Sequence, residues 1–150
     1  MRRLIVVSAI CSSLLFMSAL PVRAADGTAA EARALLDRAV PAVKADKAKA
    51  LSQFTSGENG FKVGDLYVFC LDLDGKFVAH TNPKLMGQDG KALKDGNGKA
   101  FVAEMLTVAQ DGKVAEVDYL FPRPGTKDPV PKSSYVTKVS DLVCGVGYYK

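Results

Sequence analysis

Six consecutive apolar residues, Leu66 to Leu71, place the strongest constraint on how this chain folds. An unbroken run of strand-forming residues is typical of a strand that is covered on both faces of its sheet. The next five residues, Asp72 to Lys76, have the composition of a tight turn, and Phe77 to His80 return as a second strand. The sequence therefore predicts a hairpin whose first strand is buried on both sides.

The remaining segments predict an α+β domain with a mostly antiparallel sheet. Thr28 and Glu31 form the pattern of a capping box ahead of an alanine-rich helix, and Pro41 is expected to kink that helix or divide it in two. A polar, glycine-rich stretch follows the hairpin and is too long for a plain connection, so we expect a functional cover. The predicted elements are a helix over 29–54, strands over 66–71 and 77–80, a helix over 99–110, and strands over 113–121, 133–139 and 142–149.

The first 24 residues have the pattern of a signal peptide: a cationic start, an apolar run softened by four serines, and small residues at Ala24. The alternative is an uncleaved membrane anchor, for which the run is short. Cleavage would leave residues 25–150 as one exported domain with no membrane span, periplasmic or secreted. It would also remove three of the twenty basic residues, leaving 17 against 16 acidic ones. This balance argues against nucleic acid as a partner.

Two cysteines, Cys70 and Cys144, remain outside the predicted signal peptide. They belong to no C-x-x-C pattern, so the sequence supports neither a thioredoxin-like site nor covalently attached haem. An oxidising compartment would allow a disulfide between them, and two buried thiols are the alternative. The sequence leaves both possibilities open.

The segment Asp72-Leu73-Asp74-Gly75 after an apolar strand resembles the opening of the haloacid-dehalogenase-type phosphatases. That resemblance implies a small Mg²⁺-dependent hydrolase in which Asp72 is the nucleophile and Asp74 the acid or base. Lys76 stands where a threonine or serine is usual, and no later motif completes a metal site. A hairpin turn is the favoured interpretation.

The candidate binding residues lie near the polar cover. His80 is the only histidine, which excludes a multi-histidine metal centre. It is either a structural core residue or a donor to an anionic ligand. Tyr119 and Tyr135, together with Arg123 and Lys132, bring aromatic rings and cations to one loop and its flanking strands. Such a set is typical of a small-ligand pocket, although a solvated meander is equally compatible with it.

Taken in order, these motifs resemble the single Cache domain family, the PAS-like extracytoplasmic sensor modules of bacterial receptors. The resemblance covers nearly all of the chain after the predicted signal peptide. It rests on 64–69, 72–75, Ala79-His80, Asn82-Pro83, Gly87, Tyr119-x-x-Pro122, 131–135 and 143–150. It implies a long N-terminal helix packed on a five-stranded antiparallel PAS-like sheet, with a helical linker between strands two and three and a pocket beneath that linker.

The resemblance also implies a ligand set, a short organic acid such as acetate, propionate or pyruvate held at Phe69, His80, Tyr119, Lys132 and Tyr135. A carboxylate needs cationic, hydroxyl or imidazole donors, and a short alkyl tail needs an aromatic surface. One conflict follows from strand geometry. Lys132 and Tyr135 face opposite sides if both lie in regular strand, so one of them would then not contact the ligand.

The sequence thus predicts an exported, non-catalytic sensor module that binds a small carboxylate and needs no cofactor or metal. A separate membrane receptor or kinase is a potential partner, because the chain carries no second membrane span or signalling region of its own. The alternatives are the Mg²⁺-dependent hydrolase at Asp72 and Asp74 and a structural or protein-binding module without a ligand.

Overall fold

The computed structural model describes residues 26–150, so the predicted signal peptide at 1–24 lies outside the described residues. Within 26–150, no helix is both long and apolar enough to cross a membrane. The described residues form an α+β fold in which helices pack on a twisted antiparallel sheet, as predicted.

The sheet has six strands: β1 (Lys62–Val63), β2 (Leu66–Asp72), β3 (Phe77–Ala79), β4 (Ala115–Pro122), β5 (Pro129–Val139) and β6 (Leu142–Tyr149). Their order is β1-β2-β6-β5-β4, and β3 also pairs with β2. All of the pairings between these strands are antiparallel. The sixth strand, β1, was not predicted, because its two residues between Gly60 and Gly64 are too few to show a strand pattern.

The N-terminal helical segment is divided into α1 (Ala29–Ala45) and α2 (Lys47–Ser56). The predicted capping box forms at Thr28 and Glu31. The division falls at Asp46 and not at Pro41, which stays within α1. Asp46 adopts an extended backbone conformation, and its carboxylate accepts a hydrogen bond from the Lys49 amide at 3.0 Å. This residue therefore ends one helix and caps the next.

The sheet is covered on both faces, as the apolar run in β2 predicts. Residues of β2 alternate between the two sides: Val68 and Cys70 pack under α1 and α2, whereas Phe69 and Leu71 face the opposite layer. That layer consists of α3 (Phe101–Val108) and the loops of segment 80–100, including a 3-10 turn at Gly90–Ala92. The segment between β3 and β4 therefore roofs the second face.

Cys70 and Cys144 lie directly opposite each other in the β2–β6 ladder and form a disulfide. Both cysteines are fully buried on the face that packs under α1 and α2. The bond joins two central strands at a sequence separation of 74 residues.

The outer edge of β4 is covered by the loop 95–99. The Leu120 amide donates a hydrogen bond to Asp95 Oδ2 at 3.0 Å, and Lys99 Nζ donates to the Asp118 carbonyl oxygen. Asp95 also accepts from the amides of Asn97 and Lys99, each at 2.9 Å. The edge strand is thus hydrogen-bonded to the chain's own loop.

Candidate functional site

A small aromatic cavity of about 20 Å³ lies between the sheet and its roof. The volume is enough for about one water molecule. Its apolar walls come from β2, β3, α3 and β4, and its polar groups are the Tyr67 and Tyr119 hydroxyls and the His80 ring. The lining residues are Tyr67, Phe69, Phe77, His80, Leu85, Phe101, Val102, Met105, Tyr119 and Phe121.

Strand alternation decides which side chains reach this face. Tyr67 and Phe69 are two residues apart in β2 and share a side, as do Tyr119 and Phe121 in β4. Lys132 pairs directly with Tyr119 across the β4–β5 ladder and faces the same way. The fold therefore brings one cation and several aromatic rings together at one end of the sheet.

Lys132 is the most unusual group in this region, because its side chain is fully buried. Its Nζ donates hydrogen bonds to the hydroxyls of Tyr67 at 3.0 Å and Tyr149 at 3.3 Å. The same nitrogen lies 4.6 Å and 4.5 Å from the ring centroids of these two tyrosines and 5.2 Å from that of Phe121. This cage of rings and hydroxyls favours an ammonium ion, although burial opposes the charge.

Burial lowers the pKa of Lys132 to about 7, an effect that Asp65 partly offsets and Arg123 reinforces. Burial also raises the pKa values of Tyr67, Tyr119 and Tyr149, so all three phenols keep their protons at neutral pH. Because the Tyr67 oxygen accepts from Lys132 Nζ, the Tyr67 hydroxyl proton is not used in this hydrogen bond.

Gly147 leaves the space through which the Lys132 side chain reaches Tyr67. A Cβ built on Gly147 would overlap Lys132 Cε and Ser134 Oγ, and it would lie 3.2 Å from Lys132 Nζ. The lysine stem therefore crosses β6 in the space that the missing side chain leaves open. Gly147 has an ordinary negative φ, so the requirement for glycine is one of space alone.

His80 has a defined tautomer. The Asn82 amide donates to its Nδ1 at 2.8 Å, so the ring proton must sit on Nε2. Burial, together with the positive charge of Lys132, lowers the pKa of His80 to about 4. The ring is therefore neutral at physiological pH and presents an N–H donor near the cavity.

Tyr119 is held by two contacts. Its hydroxyl shares a 2.8 Å hydrogen bond with Ser134 Oγ, and its ring stacks on Phe101 with centroids 4.5 Å apart and planes 6° from parallel. α3 thus fixes the ring while β5 fixes the hydroxyl. The result is a rigid aromatic wall with a polar tip.

An open cleft of about 400 Å³ lies outside the cavity, and the two share Tyr67, His80 and Phe121. The cleft is flanked by 81–84 and 122–126, and it contains Lys62, Lys84 and Arg123. These cations would attract anions toward the cavity.

The Arg123 side chain contacts both this cleft and the residues just before α1. Its guanidinium forms an ion pair with Asp26, lies 3.9 Å from Asp65 Oδ2, and sits over the Tyr149 ring at 4.5 Å. Asp65 in turn accepts a hydrogen bond from the Gly27 amide at 2.7 Å. One oxygen of Asp65 is thus hydrogen-bonded, whereas its buried Oδ2 has no hydrogen-bond partner within residues 26–150.

The fold places four of the five predicted binding residues together: Phe69, His80 and Tyr119 line the cavity, and Lys132 lies directly behind Tyr67. Tyr135 is separate. Lys132 and Tyr135 both lie within β5, so they point to opposite faces, and Tyr135 packs against Tyr148 on the helix-covered side. Ligand contacts by the other four residues remain a prediction.

Sequence reasoning missed Tyr67, Tyr149 and Gly147. Tyr67 stands in an apolar run and resembles a core residue, and Tyr149 is one of two adjacent tyrosines near the chain's end. The alternation rule places Tyr67 on the same face as Phe69, which was a usable signal. Nothing in the sequence shows that Gly147 lies beside Lys132.

Asp72 is the last residue of β2, and Asp74 lies in the turn between β2 and β3. Asp72 Oδ1 accepts a hydrogen bond from the Lys76 amide at 2.8 Å, and its carbonyl oxygen accepts from the Gly75 amide at 3.0 Å. Gly75 has φ +91°, which the tight turn requires. Across residues 26–150, no group of three or more histidine, cysteine or acidic side chains is arranged to hold a metal ion.

Comparison with known proteins establishes the family. The single Cache domain 2 family matches residues 8–149. The chain belongs to this family. The Cache resemblance seen in the sequence is therefore confirmed.

Solved structures of chemotaxis and chemosensory proteins are similar to most of this chain. A periplasmic sensor domain of a chemotaxis protein is 31% identical with a TM-score of 0.63, over 79% of this chain and 87% of that one. A methyl-accepting chemotaxis protein from Vibrio parahaemolyticus is 26% identical with a TM-score of 0.65, over 80% and 86%. A third, described as showing carboxylic acid recognition by a Cache chemosensory domain, is 29% identical with a TM-score of 0.61, over 79% and 85%.

A curated relative is a full chemoreceptor. The methyl-accepting chemotaxis protein McpP of Pseudomonas putida is 38% identical over 88 residues, which make up 57% of this chain. The match spans only 16% of that relative's length. The similarity therefore concerns a limited part of that chemotaxis protein.

Proposed function

We propose that this Cache domain is a non-catalytic periplasmic sensor module that binds a short monocarboxylate of the acetate, propionate or pyruvate type. The observation that carries the proposal is the buried Lys132 behind the Tyr67 hydroxyl, at one end of a cavity walled by aromatic rings. The description of one structural neighbour as a carboxylic acid receptor supports the same ligand class.

The polar groups match a single carboxylate. The Tyr67 hydroxyl and the His80 Nε2–H supply two neutral donors, and the Lys132 ammonium supplies one positive charge behind them. Phe69, Phe101 and Met105 offer an apolar surface to a short alkyl tail. One buried cation balances one negative charge, so a dicarboxylate would bring an unbalanced buried charge.

Binding requires the cavity to expand, because a C2 to C4 acid is larger than one water molecule. Leu85 and Phe121 line the cavity and are only half-buried, and Phe121 also borders the outer cleft. Outward movement of these two side chains would join the cavity to the cleft. We propose this route for the ligand.

The cellular setting is part of the same proposal. Removal of residues 1–24 on export would place the domain in the periplasm, where a separate membrane receptor or kinase would read its occupancy. The intact mass of the exported chain checks the cleavage, and a retained N-terminus would contradict it.

Calorimetric titration of the purified protein with acetate, propionate and pyruvate tests the proposal. We expect at least one of them to bind, and succinate to bind far more weakly. Tyr67→Phe removes one donor and should weaken binding about tenfold, the effect of one hydrogen bond to a charged group.

Tyr135→Phe is the matched control, since it removes the same atom from the opposite face of the sheet. It should leave the affinity unchanged. Absence of binding at millimolar concentrations would refute the proposal and favour a structural or protein-binding module. Equal losses in the two tyrosine variants would refute the assignment of the cavity.

A further inference from the structure

The Lys132 ammonium has no counterion of its own. Within residues 26–150 it forms no salt bridge, and its hydrogen bonds go only to the hydroxyls of Tyr67 and Tyr149. Asp65 raises the pKa of Lys132 through its charge but forms no salt bridge with it; its Oδ1 accepts from the Gly27 amide, and its Oδ2 lies 3.9 Å from the Arg123 guanidinium. A buried charge without a partner is costly, so Lys132 in the ligand-free site loses its proton more readily than a solvated lysine does.

The groups around Lys132 cannot supply the missing negative charge. Tyr67 from β2, Tyr149 from β6 and Tyr119 from β4 are phenols whose pKa values are raised by burial. His80, after β3, is neutral near pH 7, and Arg123, after β4, adds a positive charge. A bound carboxylate would be the first anion dedicated to this lysine.

We infer that the site takes up one proton together with each carboxylate, and that Lys132 is the group that receives it. The inference rests on the proposed function, because it concerns the same ligand and the same cavity. The chain would then respond to the acid as a whole, anion plus proton, and the same carboxylate concentration would give less occupancy at higher pH.

The burial-lowered pKa of Lys132, about 7, sets the expected size of the effect. Near pH 8 about nine-tenths of the ligand-free molecules would carry a neutral lysine, so binding would take up about 0.9 proton. Near pH 6 most would already be charged, and uptake would fall to about 0.1 proton. The affinity would be about tenfold weaker at pH 8 than at pH 6.

Calorimetry of the purified protein with propionate measures this uptake directly. Titrations are repeated in two buffers of different ionisation enthalpy, phosphate and Tris near pH 8 and phosphate and Bis-Tris near pH 6, and the difference in apparent enthalpy gives the number of protons. We expect a large buffer dependence near pH 8 and almost none near pH 6. Propionate stays ionised throughout, so its own titration does not contribute.

Two variants test which residue receives the proton that is taken up with propionate. His80→Gln removes one proposed donor and should weaken binding, but the uptake per bound propionate near pH 8 should persist, because the lowered pKa of His80 places its titration far below that range. Lys132→Arg keeps a permanent charge and should abolish both the uptake and the pH dependence. If the arginine variant does not fold, the wild-type buffer comparison still decides the inference.

The possible failures are distinguishable. Propionate binding with no buffer dependence near pH 8 would overturn the inference and leave the proposed function standing. Uptake that disappears in His80→Gln would overturn the assignment to Lys132. Absence of binding to acetate, propionate and pyruvate at either pH would overturn the proposed function itself.

Discussion

At the scale of single residues, His80 and Lys132 are a pair of buried nitrogen bases that burial affects in the same direction. Each loses affinity for protons because the surroundings cannot solvate the charged form, and the lysine charge adds to the effect on the histidine. The pair therefore offers a neutral N–H donor at His80 and a titratable cation at Lys132 within one site.

His80 also contributes to acid stability. Its pKa is about 4 in the folded chain and about 6.5 when unfolded, so the unfolded state binds the proton first as the pH falls. Folded-state stability should drop through this window by about 3 kcal/mol from this group. Urea unfolding at a series of pH values measures it, and His80→Gln should lack that part of the loss. Identical pH dependence in both proteins would contradict the assigned pKa.

At the residue level, the sequence pointed to candidates whose residue type is unusual in its setting, and their roles in binding stay predictions. A lone histidine before a polar loop and a lysine after Pro131 are conspicuous, and both lie at the candidate site. Tyr67 was not conspicuous, because a tyrosine inside an apolar run looks like a core residue. Its hydroxyl gains a role only through its contact with Lys132, and that contact depends on the tertiary structure.

At the scale of elements, β6 determines whether the Lys132 side chain of β5 has space to reach the Tyr67 hydroxyl. Its residues Gly145 and Gly147 face the cavity side, and a Cβ on either would meet side chains of the neighbouring strands. β6 is therefore a strand with an open channel on one face. The lysine stem occupies that channel.

Gly147→Ala should close the channel. The added methyl group would displace Lys132 from the Tyr67 hydroxyl, and we expect propionate binding to weaken at least tenfold. Gly96→Ala is the control, because a Cβ there meets only Leu120 at 3.6 Å, an ordinary contact. Calorimetry gives the affinities and circular dichroism confirms folding. Unaltered binding in a folded Gly147→Ala protein would refute the positioning role.

Element boundaries show what local patterns can and cannot predict. The hairpin turn and the capping box depend on a few adjacent residues, and both form as expected. The break between α1 and α2 falls at Asp46, because its side chain can cap the second helix, whereas Pro41 lies on an exposed turn that the helix tolerates. β1 exists only because β2 offers it a partner edge.

At the scale of the whole molecule, the two layers that pack on the sheet cover different features. α1 and α2 cover a closed apolar core that includes the disulfide, and α3 with its loops covers the aromatic cavity. The sequence left the pairing of Cys70 with Cys144 open, since only the strand register brings them face to face.

Replacing both cysteines with alanine should lower the unfolding free energy by about 4 kcal/mol, because the crosslink closes a loop of 74 residues. Propionate affinity should stay unchanged wherever the variant is folded, since the sulfurs lie on the face opposite the cavity. Denaturant titration and calorimetry measure the two quantities. Lost affinity in a folded variant would show that the layers are coupled.

The loop 95–99 affects whether copies of this molecule can associate through the β4 edge of the sheet. An outermost strand with unpaired amides is a template on which another chain can add a strand, and crowded compartments promote such growth. Here Asp95 and Lys99 already hydrogen-bond two of those groups on β4, the Leu120 amide and the Asp118 carbonyl oxygen. A second copy that added a strand here would have to displace this loop first, so the fold carries its own obstacle to sheet extension at this part of β4.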